Sequence, residues 1–272
     1  MLYHADCADG FGAAYAAWKK FGSKALYIPV PPDNGYLPKE ARGANVHTLD
    51  YSFPASRVSQ VLRRVASLTV IDHHISNQHA AALATHSFFA LDHSGAVLAW
   101  RYFHPKEPLP KLLRYIEDCD LWKFKLKHAR GLSQVIRTRD FNFAVWSKLA
   151  RDFENPKRLK RFVEDGKLLL AQTERTVRKL VENAEDVRFE GHRCRMVNSP
   201  VLTSEIGATL VAKGSPIGII WSRRKDKIIV SLRSKPEGVD VSKVAEKYGG
   251  GGHKSAAGFS WKKKDFLLFQ RK

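Results

Sequence analysis

The chain is short of acid, of cysteine and of long apolar runs. Against 46 Lys and Arg it carries only 27 Asp and Glu, a formal net charge of +19 over 272 residues. A surplus of that size calls for a polyanionic partner, most often nucleic acid. A surface that is merely basic is the plainer alternative. The only cysteines, Cys7, Cys119 and Cys194, supply no disulfide framework. The expectation is a reduced, intracellular protein of the cytoplasm. No apolar run reaches the length of a membrane span. The first residues show no basic segment followed by an apolar one, so no signal peptide is read there. Hydrophobic residues make up 44%, which supports a sizeable core and argues against disorder. The length suits one large domain or two ordinary ones.

What is present centres on Val70-Ile71-Asp72-His73-His74. Residues 68–71 are apolar and β-branched, as a short buried strand would be. A carboxylate and two imidazoles follow without a spacer, at the kind of strand end where open α/β sheets place ligands. Asp and His together suit Mn²⁺, Zn²⁺ or Fe²⁺. A polar turn is the competing reading.

The same arrangement recurs upstream. Residues 1–3 read as a very short strand and 11–21 as a helix with Phe11, Ala14, Tyr15 and Trp18 on one face. Between them His4, Asp6, Cys7 and Asp9 crowd one loop, either as ligands or as a helix cap with incidental polar neighbours. Residues 25–30 and 45–49 are further strands. Pro32-Asp33-Asn34-Gly35 is turn chemistry. Asp50 ends the third strand, and Pro54 opens the next helix. Strand, acidic loop and helix in alternation indicate a parallel sheet, whose strands share one C-terminal edge. His4, Asp9, Asp50, Asp72 and His73 would meet there. Residues 88–91 are a fifth strand candidate, and Ser94-Gly95 leads into a helix over 96–103. Another helix, from 111 to about 122, ends on Glu117, Asp118 and Asp120. Acid at a helix C-terminus opposes the macrodipole, which suggests a cation; a solvated acidic face is the alternative.

Residues 130–150 read as one amphipathic helix, and 156–184 as a long basic one that connects two domains. The expected division is 1–155, 156–185 and 186–272. Beyond 187 the pattern becomes a strand pair, a helix over 204–213, a hairpin over 216–221 and 227–232, and a helix over 241–248. Gly249-Gly250-Gly251-Gly252-His253 comes next. Free glycine amides, with a small-residue helix start behind them, would form an anion site. A flexible hinge is the alternative. Trp221, Tyr248 and Trp261 are candidates for base stacking.

Taken together these motifs resemble the DHH phosphoesterase family. The likeness rests on Asp72-His73-His74, His4…Asp9-Gly10, Asp50, Asp118, and Gly250-Gly251-Gly252-His253…Ala256-Ala257-Gly258, the last similar to the DHH-associated C-terminal domain. It implies an α/β enzyme: an N-terminal parallel-sheet DHH domain, a helical connector and a smaller α/β C-terminal domain. It implies two divalent ions, usually Mn²⁺, and hydrolysis of phosphodiesters or phosphoanhydrides. His4 and Asp50 would hold one ion. Asp9, Asp50, His73 and Asp118 would hold the other, with Asp50 bridging. His74, facing the scissile phosphate, and Asp72 would be the catalytic residues, and His253, Gly250, Gly251, Gly252 and Arg233 would bind substrate. Members commonly carry His-x-x-Asp-x-Asp in the first loop. Here Cys7 takes the first carboxylate's place, and a thiolate favours Zn²⁺ or Fe²⁺; the adjacent Asp6 is a possible substitute. The expected activity is two-metal phosphodiester hydrolysis on nucleic acid, single-stranded or short. A nucleic-acid-binding protein that has lost catalysis, and a small-nucleotide phosphatase or exopolyphosphatase, are the alternatives.

Overall fold

The computed structural model describes residues 1–31 and 36–262. The turn expected at 32–35 lies outside them. The chain divides into two units, Met1–Leu170 and Ala171–Lys272.

The first unit is built on five parallel strands in the order β2-β1-β3-β4-β5: β1 (Leu2–His4), β2 (Ile28–Val30), β3 (Asn45–Leu49), β4 (Ser67–Asp72) and β5 (His86–Phe89). Parallel neighbours need crossovers, which the helices supply. Helix α1 (Ala8–Phe21) joins β1 to β2, α2 (Ala55–Leu62) joins β3 to β4, and α3 (Gln78–Ala82), not anticipated from the sequence, precedes β5. Helices α4 (Gly95–Phe103), α5 (Lys111–Asp120), α6 (Ala129–Arg137) and α7 (Phe143–Glu154) complete the unit's run of elements. The register decides where the site lies. Tyr3 pairs with Leu49, and Leu49 with Ile71. His4, Asp50 and Asp72 are each the next residue, so all three emerge level at the carboxyl edge.

The core forms on both faces of this sheet. On one, Phe11, Tyr15 and Trp18 of α1 meet α7, with Phe11 stacked on Phe143 at 5.0 Å and set edge-on to Trp146 at 4.9 Å. On the other, Val58 and Val61 of α2 pack with Phe53, Leu68 and Val70. The single helix expected over 130–150 is in fact two. Asn142 breaks it, because its carboxamide oxygen accepts the amides of Ala144 and Val145 and so caps α7.

Helix α8 (Pro156–Glu182) is the long basic helix anticipated, and the division between the units falls within it. The second unit is a six-stranded sheet in the order β10-β11-β9-β8-β7-β6. Its members are β6 (Glu185–Phe189), β7 (His192–Asn198), β8 (Gly218–Arg224), β9 (Lys227–Arg233), β10 (Gly251–His253) and β11 (Ala256–Lys262), with α9 (Thr203–Ala212) and α10 (Val241–Lys247) between them. Pairing is antiparallel except between β7 and β8. The helix start expected behind the glycine run is a strand. Ala257 and Phe259 are buried at a spacing of two, which suits the pleat of β11. Among the described residues no helix is long and apolar enough to cross a membrane.

Candidate metal centre

The carboxyl edge of the first sheet gathers acids and imidazoles from four places in the chain: residues 4–9, Asp50, residues 72–74 and Asp120. Asp50 is the centre. Its Oδ2 stands 3.2 Å from His4 Nδ1 and its Oδ1 3.2 Å from His73 Nε2. His73 Nε2 also lies 3.5 Å from Asp120 Oδ2 and 3.8 Å from Asp9 Oδ2. Asp9, Asp50 and His73 are at most 2% exposed. Within this unit, among the described residues, the sets of potential ligand atoms that converge within 4.8 Å are His4, Cys7 and Asp50; Asp9, His73 and Asp120; and Asp50, Asp72 and His74.

Two glycines make this approach possible. A Cβ on Gly95 would fall 2.5 Å from Asp50 Cβ, and one on Gly10 would fall 2.2 Å from the His4 carbonyl oxygen. At the start of α4 the amides of Gly95 and Ala96 donate to Asp9 at 2.6 and 3.0 Å, so a helix N-terminus braces the carboxylate. Asp50 itself holds a left-handed backbone, φ 54°, a strained conformation of the kind found at functional sites.

Asp72 is fully buried and turned inward. Its Oδ1 accepts the amides of His73 (2.7 Å) and His74 (3.2 Å) and lies 2.8 Å from His74 Nδ1, while Oδ2 accepts the Asn77 carboxamide at 2.7 Å. These contacts hold the His74 ring in place.

The protonation pattern follows from this crowding. Burial alone would raise the Asp50 carboxyl, but the His4 and His73 imidazoles hold it well below the usual range. Burial opposes charge on His4 and His73. Asp50 overrides it, with Cys7 also acting on His4, and pushes them up to about 11 and about 10. Burial, and then the neighbouring acids, push Asp9 up. Asp120 rises for the same first reason, with Asp50 adding to it. The Cys7 thiol is likewise raised by burial. Such a set suits divalent cations. Asp50 Oδ1 and His73 Nε2, both on buried side chains, stand 3.2 Å apart, so two potential ligand atoms converge on one point.

Of the residues singled out in the sequence, the structure brings His4, Cys7, Asp9, Asp50, Asp72, His73 and His74 together. Asp6 is in none of the convergent sets. Asp118 is not brought to the cluster. Its carboxylate accepts the amides of Lys125 (2.9 Å) and Leu126 (3.0 Å). Asp120, two residues on, stands by His73 instead. Residues two apart on a helix point about 200° apart, so only one of the pair can face the sheet edge. Gly95 and Asn77 were missed; Asn77 at least follows a strand that ends in Asp72, while Gly95 carries only the Ser-Gly pattern of a helix start.

In the second unit the glycine run does not form the cradle expected. The amides of Gly249 and Gly250 donate to Glu246 and Ala245 and close α10, while Gly251 and Gly252 pair with β11. His253 ends β10, opposite Ala256. The Arg233 guanidinium donates to Ser204 Oγ and to the Leu232 carbonyl, both at 2.8 Å. Tyr248 stacks on Phe259 at 4.7 Å and meets Trp261 edge-on at 5.2 Å, so these two stacking candidates pack against each other. Trp221 lies half-buried against the core of this unit.

Residues 197–269 match the DHHA1 domain family. An uncharacterized protein of Acanthamoeba polyphaga mimivirus is 28% identical over 286 residues, covering 96% of this chain and 67% of its own. A solved DHH domain, described as a member of the S1p family of ribosomal proteins, aligns with a TM-score of 0.61 at 14% identity, over 98% of this chain and 84% of its own. RecJ from Thermus thermophilus, solved with Mn²⁺, aligns with a TM-score of 0.51 at 17% identity, over 99% of this chain and 50% of its own. The fold is thus similar to that of these two solved structures. The resemblance read from the motifs holds: a DHH-type parallel-sheet unit is joined to a DHHA1 domain.

Proposed function

We propose that the protein is a divalent-metal-dependent phosphodiesterase acting on nucleic acid, single-stranded or short. The observation that carries this is the convergence of His4, Cys7, Asp9, Asp50, His73 and Asp120 at one sheet edge. His4, Cys7 and Asp50 would hold one ion, and Asp9, Asp50, His73 and Asp120 another. Mn²⁺ suits the carboxylates, and Cys7 leaves room for Zn²⁺ or Fe²⁺. Divalent ions, when bound, supply Lewis-acid stabilisation of phosphate charge and make water acidic enough to attack at neutral pH.

The chain's own groups do the rest. Asp72 fixes His74 Nδ1, which leaves the ring directed to donate to a non-bridging phosphate oxygen. The α4 N-terminus keeps Asp9 in place, and the burial of Asp9, Asp50 and His73 excludes bulk water from the inner side. In the second unit His253 and Arg233 are proposed as substrate contacts, with Gly250, Gly251 and Gly252 offering close backbone approach rather than free amides. The net charge of +19 favours a polymer over a free nucleotide.

A substrate panel tests this: short labelled RNA and DNA, small nucleotides and polyphosphate, each with Mn²⁺, Mg²⁺ and Zn²⁺. The expected result is metal-dependent release of mononucleotides, abolished in Asp50→Ala. Oligonucleotide binding without turnover in any metal would point instead to a binding protein. Turnover confined to polyphosphate or small nucleotides would overturn the nucleic-acid assignment.

A further inference from the structure

Beyond Asp120 the chain runs Leu121-Trp122-Lys123-Phe124-Lys125-Leu126-Lys127-His128, apolar and basic residues in alternation. Trp122 remains 46% exposed. Trp122 and Phe124 both hold left-handed backbone, φ 55° and 47°. Bulky residues rarely adopt it, and they keep it only where the surroundings enforce it.

Asp118 does the enforcing. Its carbonyl accepts the amides of Lys123 (2.9 Å) and Phe124 (3.1 Å), and its carboxylate accepts those of Lys125 and Leu126. Four successive amides thus end on one buried residue. The Trp122 amide donates to the Cys119 carbonyl at 3.1 Å, and the Lys123 ammonium to the Asp92 carbonyl at 3.1 Å. The Phe124 ring meets the indole edge-on at 4.8 Å and steadies it. The result is a braced aromatic ring, open to solvent, two residues from Asp120. Two peptide steps limit the separation of their Cα atoms to about 7.6 Å.

We propose that residues 121–128 form a base-stacking platform. Trp122 receives the nucleobase of the nucleotide whose phosphate lies at the acid–imidazole cluster, and Lys125 and Lys127, both exposed, attract the neighbouring backbone. This rests on the phosphodiesterase reading and narrows it to substrates that carry a base. Three features point to a nucleotide: the open ring, the basic residues alternating with it, and the nearness of Asp120. Every base has a face to stack, so the platform would be tolerant of sequence.

The test uses the full chain as wild type, Trp122→Ala and Trp122→Phe. Each is given a short single-stranded oligonucleotide and the same oligonucleotide with abasic residues at both ends. Turnover is followed with Mn²⁺, affinity by anisotropy in chelator, and bound metal on the same preparations. Trp122→Ala should raise KM on the base-bearing substrate about 5- to 150-fold, the range for losing one base–aromatic stack. Its KM on the abasic substrate and its metal content should match wild type, and Trp122→Phe should recover most of the loss. Equal losses on both substrates would make the role structural, and no loss on either would leave the ring unused; each overturns the proposal. If wild type cleaves no oligonucleotide, the phosphodiesterase reading fails by itself. The anisotropy still decides the platform, since equal affinity of wild type and Trp122→Ala for the base-bearing strand would overturn it.

Discussion

Adding one methyl group at Gly95 should disable the cluster without unfolding the protein. The Cβ of Gly95→Ala would sit 2.5 Å from Asp50 Cβ and 2.8 Å from Asp50 Oδ1. Carbon atoms rest at about 3.5–4.0 Å, so the pair must part by roughly 1 Å or more. Neither side yields easily. Gly95 is tied through its amide to Asp9, and Asp50 is tied through its own amide to the Ile71 carbonyl. Metal-ligand distances tolerate about 0.2 Å. A displacement of about 1 Å at a reacting centre costs on the order of 100-fold in rate. Overpacking would cost about 1–3 kcal/mol of stability, and the better helix propensity of Ala offsets up to about 1 kcal/mol of this. The expected outcome is turnover down about 100-fold and weaker metal binding, with the circular dichroism spectrum retained. Calorimetric metal titration and kcat on one preparation check it. A folded Gly95→Ala with wild-type metal affinity and turnover would refute the argument that this glycine makes room for Asp50.

The two acids that end α5 should separate cleanly. Asp118→Asn, which removes an acceptor from the amides of Lys125 and Leu126, should lower stability by about 1–3 kcal/mol; Asp120→Asn, whose side chain is 28% exposed, should lower metal content and turnover but hardly move Tm. Cys7→Asp should shift metal preference toward Mn²⁺ with activity kept or raised, and an unchanged profile across Mn²⁺, Zn²⁺ and Fe²⁺ in an active variant would count against a ligand role. In metal-free protein His4 and His73 are raised from about 6.5 to about 11 and about 10. Above pH 6.5 the folded state therefore holds more protons than the unfolded one, and stability should fall as pH climbs toward 10. Metal binding needs these imidazoles neutral, so affinity should rise over the same range with release of protons. Thermal melts in chelator and titrations in two buffers of different ionisation heat measure both.

Much of the fold was legible because parallel strands announce themselves by short β-branched runs. The runs before Asp50 and Asp72 define strands that share one edge, whatever the details of packing. That was enough to bring His4, Asp50 and His73 together in advance. The family motifs extended this to the C-terminal domain. What the linear pattern could not supply was orientation. Asp118 and Asp120 are equivalent in a sequence, and only the rotation of α5 against the sheet decides which one meets His73. Nothing in the sequence tells where the Asp72 oxygens point; the structure commits both of them to His73, His74 and Asn77. Gly95 looks like an ordinary helix start, and its purpose exists only because Asp50 arrives against it from 45 residues away. The glycine run reads as a flexible cradle, but the burial of Ala257 and Phe259 makes residues 256–262 a strand and sets the glycine amides to other tasks. Composition and local pattern thus settle most of the strands and helices of the first unit, since those depend chiefly on near neighbours along the chain, while the split at Asn142 and the strand over 256–262 do not follow from them. Which polar atoms face one another depends on packing angles and registers fixed by the whole core, and these are decided only in three dimensions.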